Sequence, residues 1–171
     1  MVVVTELVEQ LGVISLLDAA IGPIKQRARG HSGAELLVVL AAAQLAGEDH
    51  LVGLDRHRGD RVAQVLTPVR GLCSTTAAGL AQRLSVGQWA AVETGLAAVS
   101  ERMLAGLPPG RVAALTEAAT IDLDTTDVEV YGRKKRGIAY NYQGQRAGRP
   151  HVASWGRDRG DPRRRAGLRR R

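Results

Sequence analysis

The stretch that decides the fold is Ala119-Thr-Ile-Asp-Leu-Asp-Thr-Thr-Asp-Val-Glu-Val-Tyr131. Ile121 and Leu123 alternate with Asp122 and Asp124, and this period of two is typical of a half-buried β-strand. We therefore predict that the chain enters a β-sheet here, with the two acids on the face opposite the two apolar residues.

The strand is expected to break within the same stretch. Val128 and Val130 fall on the opposite parity from the apolar residues before them, so one straight strand cannot hold all of them inward. We predict a bulge or turn at residues 125–127. Two more strand candidates, residues 140–142 and 149–155, lie on either side of a glycine-rich loop. The pattern favours an antiparallel meander that opens an α/β domain.

The residues upstream have the period of helices. Apolar side chains from Thr5 to about Ala20 recur every three or four residues, and Gly22-Pro23 ends that predicted helix. Ser32 and Glu35 have the spacing of a capping box, so the next helix is expected to begin at Ser32. Residues 36–45 are apolar nearly all round, and we expect this helix to be central and buried.

Further helices are predicted up to a strong breaker, Pro108-Pro109-Gly110. They cover residues 49–66 with a break near Gly59-Asp60, then residues 74–84, and then a helix capped by Ser85 and Gln88 that runs to about Leu107. The predicted fold class is mixed. An all-α N-terminal domain at 1–110 precedes the first β-strands of an incomplete α/β domain at 111–155 and a basic tail at 156–171.

Composition narrows the class of protein. Aromatic residues make up 3 % of the chain and phenylalanine is absent, so the core depends on Ala, Val and Leu and favours helices. The single cysteine, Cys73, excludes an internal disulfide and is expected to be a small buried residue. No stretch reaches about 18 apolar residues, and the N-terminus lacks the basic segment of a secretory signal. We expect a cytoplasmic protein with no membrane partner.

The net charge of +7 conceals an uneven distribution. Residues 1–132 contain 10 Lys or Arg against 15 Asp or Glu, a formal charge of −5, whereas residues 133–171 contain 14 against 2, a charge of +12. A basic segment of this kind points to a polyanion, most readily nucleic acid. An unstructured, solubilising tail is the alternative that charge alone leaves open.

Four acids within eight residues, Asp122, Asp124, Asp127 and Glu129, suggest chemistry. Carboxylates at the end of an apolar strand suit Mg²⁺ or Mn²⁺, because hard cations prefer oxygen ligands and keep coordination positions for phosphate and water. Two such ions can activate a water and stabilise the leaving oxygen in phosphodiester cleavage. Acids on the exposed face of an edge strand give the same pattern and are the alternative interpretation.

A longer pattern separates these interpretations. Asp122-Leu-Asp-Thr-Thr126 is followed by Tyr131-Gly-Arg-Lys-Lys-Arg-Gly137 and then by Tyr142-Gln-Gly144. This order and spacing resemble the first catalytic block of the DDE-type insertion-sequence transposases of bacteria. The upstream helices also resemble the N-terminal region of that group, so that the resemblance covers residues 5–155.

The resemblance implies a ribonuclease-H-like catalytic domain whose first strand carries Asp124. Asp124 would be the first catalytic acid and a ligand of Mg²⁺ or Mn²⁺, and Asp122, on the same face, would be the second candidate ligand. Basic residues after the strand would contact the phosphates of transposon-end DNA, although a solvated hairpin tip explains them equally well. These residues are Arg133, Lys134, Lys135, Arg136, Arg146 and Arg149.

The end of the sequence departs from the family pattern. In residues 156–171, 13 of 16 residues are Arg, Gly, Pro or Ala, where the family continues its sheet. We expect this tail to be disordered and to come from a frameshift or a truncated copy. The second Asp and the Glu of the triad lie beyond this region in the family. The metal ions are therefore not expected to be stably bound, and the chain is expected to be inactive alone.

Two functions of different classes follow. The first is a fragment of a transposase, whose family performs metal-dependent DNA cleavage and strand transfer. The second is a non-enzymatic DNA-binding or regulatory protein, with a second copy or an intact transposase as its protein partner. A stand-alone nuclease needs further acids, and residues 132–157 contain none. Residues 70–90 also suggest a loose helix-turn-helix, but its recognition helix offers only Gln82 and Arg83 to a DNA groove.

Overall fold

The computed structural model describes residues 2–27, 29–117, 119–131, 135 and 137–157. Within these residues the chain is mixed, with eight helices and two small antiparallel sheets. It divides into two compact units, Met1–Gly106 and Leu107–Arg171. None of the helices in the described part of the chain is long and apolar enough to cross a membrane.

The first unit is helical. Its helices are α1 (Val2–Gln10), α2 (Val13–Ile21), α3 (Gly33–Leu45), α4 (Gly53–Gly59), α5 (Arg61–Leu66), α6 (Ser74–Ala81) and α7 (Val86–Ala105). The prediction of one helix from Thr5 to Ala20 is wrong, because Gly12 adopts a left-handed conformation with φ 60° and separates α1 from α2. The apolar spacing continues across Gly12, so periodicity does not reveal the break. Gly22 ends α2 as predicted.

The predicted helix caps are confirmed. Ser32 and Glu35 form a capping box at the start of α3, in which the Ser32 N–H donates to Glu35 Oε2 over 2.7 Å. Ser85 and Gln88 form a second one at α7. The break between α4 and α5 is confirmed as well, since the Asp60 side chain caps α5. These features depend on neighbours in sequence and were therefore accessible to prediction.

The core of the helical unit surrounds α3. Leu36 and Ala34 are completely buried there, which confirms the prediction of a central helix. α3 packs against α2 and α6, and α2 packs closely against α7. Gly95 of α7 allows that close approach, because an added Cβ would lie 2.8 Å from Leu17 Cδ2. α6 packs mainly on α3 and α4, and α7 packs mainly on α2, so these contacts do not favour the loose helix-turn-helix that residues 70–90 suggest.

The second unit begins with a helix that the sequence analysis did not predict, α8 (Pro109–Glu117). Pro109 is its first residue, where the missing N–H of a proline breaks no helical hydrogen bond. The breaker motif therefore also starts a helix. Five strands follow: β1 (Ala119–Thr125), β2 (Val128–Glu129), β3 (Ala139–Tyr140), β4 (Arg146–Gly148) and β5 (His151–Arg157).

The strands form two antiparallel sheets, β1-β5 and β2-β4-β3. The predicted break at residues 125–127 is confirmed, because β1 ends at Thr125 and β2 belongs to the other sheet. The predicted meander is wrong, since β1 pairs with the last strand rather than the next one. Residues 146–148, expected in a loop, form β4, whose Ala147 is buried between its neighbours.

Candidate functional site

The two acids of β1 lie on one exposed face. In the pairing of β1 with β5, Asp122 stands opposite Ser154 and Asp124 stands opposite Val152. Directly paired residues of antiparallel strands share a face, and both aspartates are exposed there. We call the surface formed by these four residues the carboxylate face. Ile121 and Leu123 belong to the opposite face, as the sequence period predicts.

One carboxylate oxygen of Asp124 accepts a hydrogen bond from the backbone. The Thr125 N–H donates to Asp124 Oδ1 over 2.8 Å. The Thr125 hydroxyl instead lies 3.1 Å from Nδ1 of His151, its partner in the strand register. His151 therefore belongs to the face opposite Asp124.

The donor set of the carboxylate face fits a hard divalent cation. Residues i and i+2 of an extended strand are roughly 7 Å apart, so their carboxylates are near neighbours. Mg²⁺ is commonly held by one or two carboxylates and completes its octahedron with water and substrate phosphate. Among the described residues, no group of three or more His, Cys, Asp or Glu is placed to hold a metal ion. Asp122 and Asp124 could thus offer a cation two carboxylates on an open surface, not a protein cage.

Asp127 belongs to a separate hydrogen-bond network. Its Oδ1 accepts from Arg149 Nε over 2.7 Å, and its Oδ2 accepts from Asn141 Nδ2 over 3.1 Å. Asn141 is 9 % exposed, and its Oδ1 accepts the N–H groups of Gln143 and Gln145 over 3.0 and 2.9 Å. The network closes the turn between β3 and β4 and ties it to the residue that precedes β2. Asp127 therefore has a structural partner for each carboxylate oxygen.

The fourth acid is also away from the carboxylate face. Glu129 lies in β2, and its hydrogen bond with the Tyr131 hydroxyl, together with its negative charge, raises the pKa of Tyr131. The four acids within eight residues are therefore separated: Asp122 and Asp124 lie in β1, Asp127 lies between the strands, and Glu129 lies in β2. Only Asp122 and Asp124 are brought together.

The predicted DNA-contacting residues are in different situations. Lys135 is exposed, Arg146 lies in β4, and Arg149 forms an ion pair with Asp127. Arg133, Lys134 and Arg136 lie outside the described residues. Arg149 is therefore already paired with a carboxylate of the chain.

The helical unit has a basic cleft that its sequence pattern did not predict. The cleft has a volume of about 810 Å³, and its walls are residues 24–27 and 29–31, between α2 and α3, and one side of α6 with the turn that follows it. The basic side chains that line it are Lys25, Arg27, Arg29, His31 and Arg83. We call this surface the basic cleft. Its signal in the sequence is the alternation of basic residues at positions 25, 27, 29 and 31.

Cys73 contacts two residues of the same cleft. The prediction that it is buried is wrong, since it is partly exposed at the N-cap of α6. Its Sγ lies 3.3 Å from Thr75 Oγ1 and 3.1 Å from Thr76 Oγ1. Hydrogen bonds from the Thr75 and Thr76 hydroxyls and from the Thr76 N–H lower the pKa of the thiol to about 7. The two threonines themselves line the basic cleft.

No protein-family model matches this sequence, and no match is found among curated proteins or solved structures. The carboxylate face and the basic cleft are therefore the features on which a functional interpretation rests. One offers oxygen ligands, and the other offers cationic donors.

Proposed function

We propose that this chain is a DNA-binding protein of the DDE-transposase type, in which β1 is the first strand of a ribonuclease-H-like domain. The observation that carries the proposal is the placement of Asp122 and Asp124 on one exposed face of β1. The transposase family that residues 121–151 resemble has its first catalytic aspartate at the position of Asp124. The protein partners in this proposal are a second copy of the chain or an intact transposase.

The opposite face of β1 supports this assignment. Ile121 is 67 % exposed and Leu123 is 79 % exposed, although alternating apolar residues normally face a packed layer. In the proposed domain, the further elements of an α/β fold would cover these side chains. The exposed apolar face and the acidic face then correspond to the packed side and the reactive side of one strand.

The chemistry of this face is limited to what two carboxylates can do. When bound, Mg²⁺ or Mn²⁺ would polarise a phosphate oxygen and acidify a bound water. Asp122 and Asp124 would hold the ion, and the Thr125 N–H would keep Asp124 Oδ1 in place. Two acids are fewer ligands than the family's triad provides. We therefore propose that the 171-residue chain binds DNA but does not cleave or join it.

The test combines binding and nicking on the full chain. Wild-type protein and Asp124→Ala are incubated with supercoiled plasmid in Mg²⁺ or Mn²⁺, and binding to a labelled duplex is measured in parallel. The expected result is salt-dependent binding by both proteins and nicking by neither. Robust Mg²⁺-dependent nicking that Asp124→Ala abolishes would show an enzyme instead of a binding protein.

DNA sequence distinguishes transposase-type recognition from general affinity for polyanions. Competition is measured with the inverted repeats that flank the coding sequence, with random duplex and with heparin. Preference for the inverted repeats supports the transposase origin. Equal affinity for all three would attribute the binding to basic charge alone and would contradict the proposed recognition.

A further inference from the structure

We infer that the basic cleft of the helical unit binds the phosphodiester backbone of duplex DNA. This inference rests on the proposed DNA-binding function and deepens it by locating a contact surface. The location is unexpected from the sequence, whose charge balance directs attention to residues 133–171.

The cleft concentrates positive charge within a unit that is almost neutral. Residues 1–106 contain 9 Lys or Arg and 10 Asp or Glu. Four of these nine cations line the cleft together with His31, whereas none of the ten acids is among its lining residues. A concave surface lined by charges of one sign focuses the field and attracts the opposite charge. The basic cleft therefore suits a polyanion, even though the unit as a whole does not.

Three arginines of the cleft are available to a ligand. Arg27, Arg29 and Arg83 are exposed, and none of them takes part in the ion pairs formed among the described residues. A guanidinium can donate two parallel hydrogen bonds to one phosphate group. His31 differs, because its Nδ1 lies 3.5 Å from Glu35 Oε2. The inference therefore depends on the arginines.

The loop that carries two of these arginines is held in shape by its own contacts. Lys25 Nζ donates to the carbonyl of Arg29 over 2.6 Å and also to the carbonyl of His31. At the start of the loop, Gln88 Nε2 donates to the carbonyls of Ile21 and Pro23 over 3.3 and 3.2 Å. Because these hydrogen bonds restrain the residues they join, a ligand has less conformational entropy to remove there on binding.

The second wall is one side of α6 and the turn that follows it. Thr76 and Gly79 are three residues apart in α6, Thr75 lies beside Thr76, and Arg83 lies in the turn just beyond the end of the helix. A Cβ added at Gly79 would have no atom within 4 Å, so the backbone is open to the cleft at this point. Hydroxyls and guanidinium groups are the donors that commonly contact DNA phosphates. The wall thus offers contacts to the backbone of a duplex, with Gln26 as the single amide side chain of the lining.

The experiment compares two triple variants of the full chain. Arg27→Ala/Arg29→Ala/Arg83→Ala removes the arginines of the cleft. Its matched control, Arg58→Ala/Arg61→Ala/Arg70→Ala, removes three exposed arginines of the same unit that do not line the cleft. Affinity for a labelled random duplex is measured by fluorescence anisotropy as salt rises from about 50 to 200 mM.

The expected effect follows from counterion release. Each lost phosphate contact lowers the slope of log K against log salt by about 0.9, which corresponds to roughly eight-fold in affinity at 0.1 M salt. The cleft variant should therefore lose about 2 to 3 in slope and well over ten-fold in affinity. The control variant should lose less than about three-fold, because distant exposed charges are screened.

The outcomes separate this inference from the proposed function. If wild type binds the duplex and both variants weaken equally, the cleft assignment is overturned while DNA binding stands. If wild type does not bind duplex DNA at about 50 mM salt, both are overturned. Tighter binding of a matched RNA duplex, lost in the cleft variant, would overturn DNA as the ligand. Protection of residues 24–31 and 74–83 from hydrogen exchange on adding DNA would support the cleft directly.

Discussion

Substituting Gly95 by alanine tests the closest packing in the helical unit. A Cβ at this position would lie 2.8 Å from Leu17 Cδ2, 3.3 Å from Leu17 Cα and 3.4 Å from Ala20 Cβ. Leu17 is 3 % exposed, so its side chain has little room to move away. Overpacking of this kind costs about 1–3 kcal/mol. The clash opposes the gain of about 0.5–1 kcal/mol that alanine normally brings to a helix interior.

Gly79→Ala is the matched control, because Gly79 also lies within a helix but has open space where its Cβ would stand. The gain in helix propensity is common to the two variants, so the difference between them isolates the clash. We expect Gly79→Ala to unfold at a higher urea concentration than wild type, and Gly95→Ala to be less stable than Gly79→Ala by about 1–3 kcal/mol.

The assay is urea unfolding followed by far-ultraviolet circular dichroism. With a urea dependence of about 1–3 kcal/mol per molar, the two midpoints should differ by roughly 1 M. If Gly95→Ala unfolds at the same urea concentration as Gly79→Ala or at a higher one, the close approach of α2 and α7 described above is refuted.

Three further predictions concern the second unit, the thiol and the metal ligands. Asn141→Ala removes the hydrogen bonds of a buried amide to Asp127, Gln143 and Gln145. The free energy of unfolding of the β2-β4-β3 sheet should fall by about 2–4 kcal/mol. An unchanged urea transition in tyrosine fluorescence would contradict the network. The pKa of Cys73, lowered to about 7, predicts that alkylation by iodoacetamide is half-maximal near that pH and that Thr76→Val moves the midpoint upward. Because the folded chain favours the thiolate form, the thiolate stabilises the fold fully above the ordinary pKa of 9.0, and this stabilisation is lost as pH falls through about 7. Cys73→Ser should therefore flatten the dependence of stability on pH between about 7 and 9.0. The wild-type chain should retain Mn²⁺ weakly, and more strongly when duplex DNA is present. Electron paramagnetic resonance should show that Asp124→Asn retains less Mn²⁺. Equal retention by the two proteins would exclude the carboxylate face as the site.

Local signals explain why the helical part of the fold was largely predictable. The capping boxes at Ser32 and Ser85 and the cap at Asp60 depend on residues three positions away or fewer, and the structure contains all of them. The break at Gly12 is different. Its apolar neighbours keep the helical period on both sides, so only the conformation of the glycine shows that the chain changes direction.

Long-range pairing explains where prediction of the strands failed. The alternation of residues 121–124 identified β1, but β1 pairs with β5, which lies beyond three other strands. Register between strands depends on contacts that the period within one strand does not encode. β4 has only three residues, too few to show a period, so the glycine-rich sequence there predicts a loop instead.

The same distinction applies to the acids. That Asp122 and Asp124 share a face follows from the strand period alone. The separation of Asp127 from them depends on Arg149 and Asn141, which lie 22 and 14 residues away in sequence. The number of acids in a short window therefore overestimates the cluster, because the chain leaves the first sheet after Thr125 and Asp127 and Glu129 follow that break.

Net charge per segment has the opposite weakness, because it underestimates the local concentration of positive charge in the helical unit. The net charge of residues 1–132 sets Arg27, Arg29 and Arg83 against the acids of that segment. Those acids need not lie near the three arginines in space. The packing of α6 against α3 places Arg83 in the same cleft as the loop that precedes α3, and none of the unit's acids lines that cleft. Three arginines gathered in one cleft and a long basic segment also differ in what they can recognise. The first is set by the fold in one cleft and can favour one geometry of phosphates, whereas attraction to a run of basic charge depends on charge density alone. A preference for duplex DNA over heparin that is lost with the cleft arginines would therefore identify the helical unit, rather than the basic C-terminal segment, as the source of recognition.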